Sequence, residues 1–199
     1  MLDLLALITV MVWPVIPLFW IPVHFATDRF RKLGLLTYVM PLITWLPLAY
    51  LVYRNRIFLL QLKVDLPPIC NGIGIPLFIS GILLHIWTAR LLGIRGIIGV
   101  PEISGKVREN LVGEGPFSVV RHPTYLAHTL ILSGVFLITA SVATGVIALV
   151  DFVIINAVII PLEEKELSNR FGKGYAAYKR KVPSRFFPWI HGGSTYVVF

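Results

Sequence analysis

Two short stretches, about forty residues apart, hold the side chains of this sequence best suited to chemistry. The first is Gly115-Pro116-Phe117-Ser118-Val119-Val120-Arg121-His122-Pro123-Thr124-Tyr125. Gly-Pro marks a turn, and Pro123 suits the first turn of a helix because its missing N–H would be unpaired there anyway. The free N–H groups of that helix start carry partial positive charge and could receive a carboxylate, to which Arg121 could add a bidentate contact. A plain helix cap with an interfacial arginine anchor accounts for the same residues. The second stretch is Glu163-Glu164-Lys165-Glu166-Leu167, directly after Pro161. A carboxylate there could accept hydrogen bonds from both hydroxyls of a ribose, as acidic residues of dinucleotide folds do from one. A solvated helix, with Glu166 supporting Arg170 four residues on, explains the charges equally well. The tail from Phe171 to Pro188 alternates Tyr and Phe with Lys and Arg, a composition suited to lying on lipid headgroups.

Competing chemistries lack their templates. His24, His85, His122, His128 and His191 have no HExxH or cysteine-rich spacing, so no metal site is expected. There is no GxGxxG or P-loop, and no Ser-His-Asp arrangement above chance. The single cysteine, Cys70, excludes an internal disulfide and reads as a small apolar side chain.

The elements that must position the two motifs are membrane helices. The chain has 199 residues, 56% hydrophobic and 14% charged, where a soluble domain carries about 25% charged residues. Apolar windows of about 20 residues, enough to cross ~30 Å of hydrocarbon, occur at Leu2–Ile21, Leu33–Tyr53, Pro68–Ala89, Tyr125–Ser141 and Ala143–Leu162. The fold class expected is therefore all-α integral membrane, with five transmembrane helices. The first span has Asp3 where a signal peptide would carry Lys or Arg, and it is read as a retained helix. Its prolines (Pro14, Pro17, Pro22) and those of the second span (Pro41, Pro47) predict kinks. Residues 1–66 read as scaffold helices and 67–199 as the core that carries the motifs.

Five spans put fifteen of the eighteen Lys and Arg on one side, in 29–32, the loop Arg90–Arg121 and the tail from Lys165. Only Arg54, Arg56 and Lys63 lie opposite. By the positive-inside tendency the N-terminus is outside and the C-terminus cytoplasmic, so the net charge of +8 is a topology signal and no nucleic-acid partner is expected. The long loop Arg90–Arg121 directs attention to that cytoplasmic surface. Spans four and five form a tight helical hairpin, which sets Ser133 level with Asp151, His128 with Asn156, and Glu163 with Arg121 and His122. Polar residues in hydrocarbon need partners, so cross-helix pairing is the expected use, with a cavity lining as the alternative.

Together the motifs resemble those of the isoprenylcysteine carboxyl methyltransferase family, over about Leu84 to Pro188. The likeness rests on Leu-Val-x-x-Gly-Pro-Phe at 111 to 117, Arg-His-Pro-x-Tyr at 121 to 125, and Glu-Glu-x-x-Leu-x-x-x-Phe-Gly-x-x-Tyr-x-x-Tyr-x-x-x-Val-Pro at 163 to 183. Size and hairpin are most similar to the short prokaryotic members. The resemblance implies a cytoplasmic pocket for S-adenosylmethionine, partly closed by the C-terminal segment. The implied cofactor contacts are Glu109, Asn110, Leu111, Val112, Phe117, His122, Pro123, Thr124, Tyr125 and Glu163, with Glu163 on the ribose and the helix start beside Arg121 on the methionine carboxylate. It also implies an acceptor entering from the bilayer, the carboxylate of a prenylated cysteine or a similar lipid-borne acid. Two departures concern acceptor recognition: Ile159 stands where mammalian members have Arg, and His85 where many relatives have Arg. The catalytic candidates are accordingly Arg121, His85 and Arg90. A carboxylate with pKa near ~4 is already ionised at pH 7, so no general base is required, and alignment with a sulfonium methyl can supply ~7–11 kcal/mol. Alternative functions are phospholipid N-methylation, an NADPH-dependent sterol-reductase-like activity, and a non-enzymatic helical scaffold or channel subunit.

Overall fold

The computed structural model describes residues 2–104 and 111–188, whose regular secondary structure is helical apart from one isolated bridge. Proline divides the first span as expected: α1 (Leu2–Val12) ends before Pro14, whose ring cannot continue the ladder, and α2 (Val15–Phe25) follows. A short α3 (Thr27–Leu33) and a 3₁₀ turn lead into α4 (Val39–Arg54) and α5 (Arg56–Gln61). The third span, α6 (Ile69–Ile97), extends past the expected end at Ala89. It is broken at Gly93, whose φ of 69° and ψ of 169° are open to glycine, and is followed by α7 (Val100–Ile103). The loop expected from Arg90 is thus partly helical.

Four stretches are long and apolar enough to cross a membrane: Leu2–Phe25, Thr27–Arg54, Ile69–Ile103 and Val142–Phe171. α8 (Pro123–Thr139), expected as a fifth, is a shorter apolar helix of 17 residues. Pro123 starts it, and Ala140, with φ 49°, turns the chain straight into α9 (Val142–Ile154). A π-helical turn at Ile155–Ile159 joins α9 to α10 (Ile160–Phe171), and α11 (Lys173–Lys181) follows across Gly172.

The hairpin is tight, as the sequence implies, but its polar residues find other partners. Asp151 is buried and its Oδ1 accepts a 2.7 Å bond from the Trp13 indole of the first span, because α1 packs on both α8 and α9. Asn156 donates to Phe152 O on its own helix, and His128 faces His85 of α6 at 5.1 Å between ring centroids. The expected Ser133–Asp151 and His128–Asn156 pairings are replaced by contacts to a third helix or the same one. At the end of the molecule away from the motifs, Lys63 pairs with Asp3 at 2.7 Å, while Val64 N and Val142 N bond Ala140 O and Leu62 O. This ties the connection between α5 and α6 to the hairpin turn.

The most extensive packing joins α6 to α8 through small residues. A Cβ at Gly134 would lie 2.6 Å from Phe78 N and 2.8 Å from Gly74 O, and one at Gly74 would lie 2.8 Å from Leu137 Cβ. Backbone cannot yield as a side-chain tip can. Gly134→Val should therefore destabilise the protein by the ~1–3 kcal/mol typical of overpacking, read as a lower melting temperature in detergent. Gly174→Ala in α11 meets nothing within 4 Å and should leave it unchanged or slightly raised. A Gly134→Val protein as stable as its parent would refute the close approach.

Candidate functional site

Where α8 begins and α10 passes it, the helices leave a cavity of about 270 Å³. Trp20 of α2, His85 and Gly96 of α6, Glu102 of α7, Glu163 and Arg170 of α10, and Tyr175 and Tyr178 of α11 all contribute to its wall. The segment from Leu111 and the turn at Gly115–Ser118 supply Leu111, Val112 and Phe117, and the α8 start supplies Arg121, His122, Thr124, Tyr125 and, deeper, His128. Gly115 has φ 55°, and a Cβ there would press on Leu91 and Trp87, so this turn lies directly on α6.

At one edge the two motifs meet. His122 is buried between two carboxylates, with Nδ1 3.4 Å from Glu163 Oε2 and Nε2 3.3 Å from Glu164 Oε1. Burial opposes the imidazolium, but the two carboxylates outweigh it and hold the His122 pKa above its ordinary value. Arg121 places Nε 2.9 Å and Nη2 2.8 Å from Glu164 Oε1, while its Nη1 donates to the carbonyls of Val182 and Pro183 at 2.8 and 2.7 Å. The backbone repeats the attachment: Arg121 N donates to Ser184 O at 2.9 Å and His122 N to Arg185 O at 3.1 Å. The C-terminal segment is thereby strapped across the mouth of α8, with Phe186 buried in a cluster containing Tyr125, Ile155, Ile159 and Ile160. Tyr178 donates to Phe117 O at 2.7 Å, and burial pushes its hydroxyl up to about 12.

A second set of charges flanks the cavity. Arg170 Nη2 lies 3.4 Å from Glu102 and its Nε 3.6 Å from Glu166, which also takes Arg31 at 2.9 Å. The expected Glu166–Arg170 pair is therefore present, but it is partly buried and extended by Glu102 and Arg31. The Arg31–Glu166 contact brings 29–32 to the same end of the molecule as the motifs.

Of the residues singled out in the sequence, His85, Leu111, Val112, Phe117, Arg121, His122, Thr124, Tyr125 and Glu163 line one cavity. Pro123 is buried at the α8 start without lining it. Arg90 is exposed and lies outside the lining, and Glu109 and Asn110 fall outside the described residues. Ile159, where a family arginine would stand, is fully buried in the cluster with Tyr125 and Phe186. Sequence reasoning missed Trp20, assigned to scaffold, and Glu102, a lone acid in an apolar stretch. Tyr175 and Tyr178 belong to the aromatic tail, whose composition alone suits headgroup contact, whereas the structure sets both in the cavity wall.

The unpaired polar atoms describe what the cavity could hold. Glu102 Oε2, Thr124 Oγ1 and Tyr175 Oη are buried and have no hydrogen-bond partner among the described residues, and Glu163 Oε2, also buried, has no hydrogen bond beyond its 3.4 Å contact with His122. With the apolar Leu111, Val112 and Phe117 they make a wall of mixed character, able to take a ligand that has both polar groups and an apolar body. Among the described residues no group of three or more His, Cys, Asp or Glu could hold a metal ion.

Comparison with known proteins finds a matching family and several relatives. The profile of a family described as phospholipid methyltransferase matches residues 69–174, more than half of the chain. The chain is 31% identical over 126 residues to the cobalt-zinc-cadmium resistance protein CzcN of Cupriavidus metallidurans, covering 56% of this chain and 57% of that one. It is 32% identical over 99 residues to the nickel-cobalt-cadmium resistance protein NccN of Alcaligenes xylosoxydans xylosoxydans, with coverage of 48% and 46%. It is also 32% identical over 106 residues to phosphatidylethanolamine N-methyltransferase B of Dictyostelium discoideum, with coverage of 51% and 52%. The chain thus spans about half the length of the curated relatives it matches. No solved structure matches it significantly.

The His122 junction has a pH signature. Because the folded pKa is raised, the protonated ring contributes stability that is fully present below the unfolded value near ~6.5 and lost as pH rises through the folded value. The difference in melting temperature between the parent and His122→Gln should be largest below about pH 6.5 and shrink on the alkaline side. A difference that stays flat across that range would remove the charged junction from the account.

Proposed function

This chain belongs to the phospholipid methyltransferase family, and we propose on that premise that it is an integral membrane methyltransferase that uses S-adenosylmethionine on a lipid-borne acceptor. The observation that carries the reading is the set of buried, unpartnered polar atoms around one apolar-walled cavity. Glu163 would accept the ribose hydroxyls. The α8 start, with Thr124, would receive the methionine carboxylate. Leu111, Val112 and Phe117 would cover the base, with Glu109 and Asn110 continuing that stretch. When bound, S-adenosylmethionine supplies an electrophilic methyl group on a sulfonium. The chain's own residues hold, orient and enclose: Arg121 braces α10 and the C-terminal strap together, His122 meets Glu163, and Phe186 packs behind Tyr125 of the wall.

The acceptor reading follows from the cations. Arg121 is engaged by Glu164 and two carbonyls, Arg170 by Glu102 and Glu166, and Ile159 carries no charge. A lipid amine, which needs no cation to receive it, fits this wall best, and the likeness to an N-methyltransferase supports it. The carboxylate of a prenylated cysteine is the second reading, favoured by the unpaired Thr124 hydroxyl at the α8 start. For the membrane, we assign five crossings including α8, residues 1–66 as scaffold with Trp20 reaching the cavity, the N-terminus outside, and the cavity at the cytoplasmic surface. The shared end of Arg31 and Glu166 supports that assignment.

Two experiments test these assignments. Calorimetry with S-adenosylhomocysteine should give binding to the parent and a roughly ten- to hundredfold weaker affinity for Glu163→Ala, the ~1.5–3 kcal/mol of lost charged hydrogen bonds. Unchanged affinity would return Glu163 to a structural role, and binding of NADPH instead would favour a reductase. Reporter fusions after Asp65 and Phe199 should read outside and cytoplasmic respectively. A Phe199 fusion found outside would invert the orientation.

A further inference from the structure

Two imidazoles face each other across the α6–α8 contact, deeper in the bundle than the Glu163 junction. His85 and His128 have ring centroids 5.1 Å apart and rings inclined by 38°, both line the cavity, and each has a buried Nδ1 without a hydrogen-bond partner. His128 lies six residues into α8 from His122, about 9 Å further along the axis. A row of rings connects the two depths: Tyr125 stands edge-on to His128 at 6.2 Å, and His122 stacks on Tyr125 at 5.9 Å. Among the described residues, Tyr125 is the titratable group in ring contact with the pair. The charged groups of the cavity, Glu102, Glu163, Arg121 and Arg170, lie on or against α10, and His122 joins them.

We propose that His85 and His128 form the proton-accepting site for the acceptor, receiving the ammonium of an amine-bearing lipid and taking its proton before methyl transfer. This rests on the methyltransferase reading above. A lipid ammonium has a pKa near that of lysine, ~10.4, and its nitrogen has no lone pair to offer until a proton leaves. A neutral imidazole presents one lone-pair nitrogen in either tautomer, and a facing pair presents two. The balance is complete. The N–H bond of R–NH₃⁺ breaks, its proton goes to an imidazole nitrogen, and R–NH₂ keeps the electron pair. That pair then forms the N–CH₃ bond as the sulfonium S–CH₃ bond breaks, which leaves a thioether and R–NH₂CH₃⁺. The imidazolium returns its proton to water through the open side of the cavity. Placing the base at the deeper level suits an acceptor whose acyl chains remain in hydrocarbon and whose headgroup reaches inward from the lipid.

The test uses the full-length protein in nanodiscs. With phosphatidylethanolamine as acceptor, His128→Gln and His85→Gln should each lose activity at pH 7, His128→Gln on the order of 100-fold. The deficit should shrink as pH approaches ~10, where the free amine is supplied by solution. S-adenosylhomocysteine binding should be retained in both variants, so a failure of this proposal is distinguishable from failure of the methyltransferase reading, in which the parent itself would not bind that ligand. Independently of activity, the ¹⁵N histidine spectrum of the parent should show two side-chain signals that shift between phosphatidylcholine and phosphatidylethanolamine discs, whether or not a variant folds. Identical spectra in the two lipids, or a loss of activity by the same factor at every pH, would overturn the proposal.

Discussion

The site depends on one junction: the buried contact of Arg121 and His122 with Glu163 and Glu164. Arg121 and His122, at the entrance to α8, meet Glu163 and Glu164 of α10 there, with Arg185 adding a longer contact to Glu164 at 3.5 Å, and removing Arg121 would leave the buried Glu164 short of its nearest cation. Arg121 does more than neutralise Glu164, because its remaining donors hold the carbonyls of Val182 and Pro183. The ion pair therefore fixes α8 to α10 and simultaneously fastens the strap over the cavity. Glu163 meets His122 through Oε2 and also lines the cavity, so the Arg121–Glu164 pair that supports the wall is separate from the carboxylate that faces the cavity.

Everything upstream brings those two helix ends together. Ala140 turns the chain sharply enough that α8 and α9 run side by side, and the π-helical turn at Ile155–Ile159 precedes the stretch that presents Glu163 and Glu164. The glycine contacts between α6 and α8 bring His85 to His128 and leave room for Trp87 and Leu91 under Gly115. The N-terminal helices are more than packing material. Trp13 satisfies Asp151, which would otherwise be an unpaired acid in apolar surroundings, and Trp20 closes one side of the cavity.

The meeting of the two motifs was legible in the sequence because a helical hairpin obeys simple depth arithmetic. A turn at Val142 sets Glu163 level with His122, and the structure brings them within 3.4 Å. The helical class followed from composition, since apolar windows leave no alternative to satisfied backbone bonds in lipid. Depth does not specify azimuth, however, which is why Asp151 meets Trp13 and His128 meets His85 although Ser133 and Asn156 lie level with them. The extent of α6 was hidden for a related reason, because polar residues from Arg90 onward suggested a loop while the helix continued to Ile97. Arg121 was visible as a key residue, but its commitment to the strap depends on a segment sixty residues away that has no periodic signal.

The central claim is that the cavity edged by His122, Glu163 and Tyr175 is the methyl-donor site, closed by the strap that Arg121 holds. It is tested most directly by an experimental structure of the full-length protein in lipid with S-adenosylhomocysteine. The account predicts ligand density against Glu163 and the α8 start, with residues 182–186 still seated on Arg121 and His122. Density confined to the separate cleft lined by Arg29, Arg31 and Lys165, with this cavity empty, would contradict it.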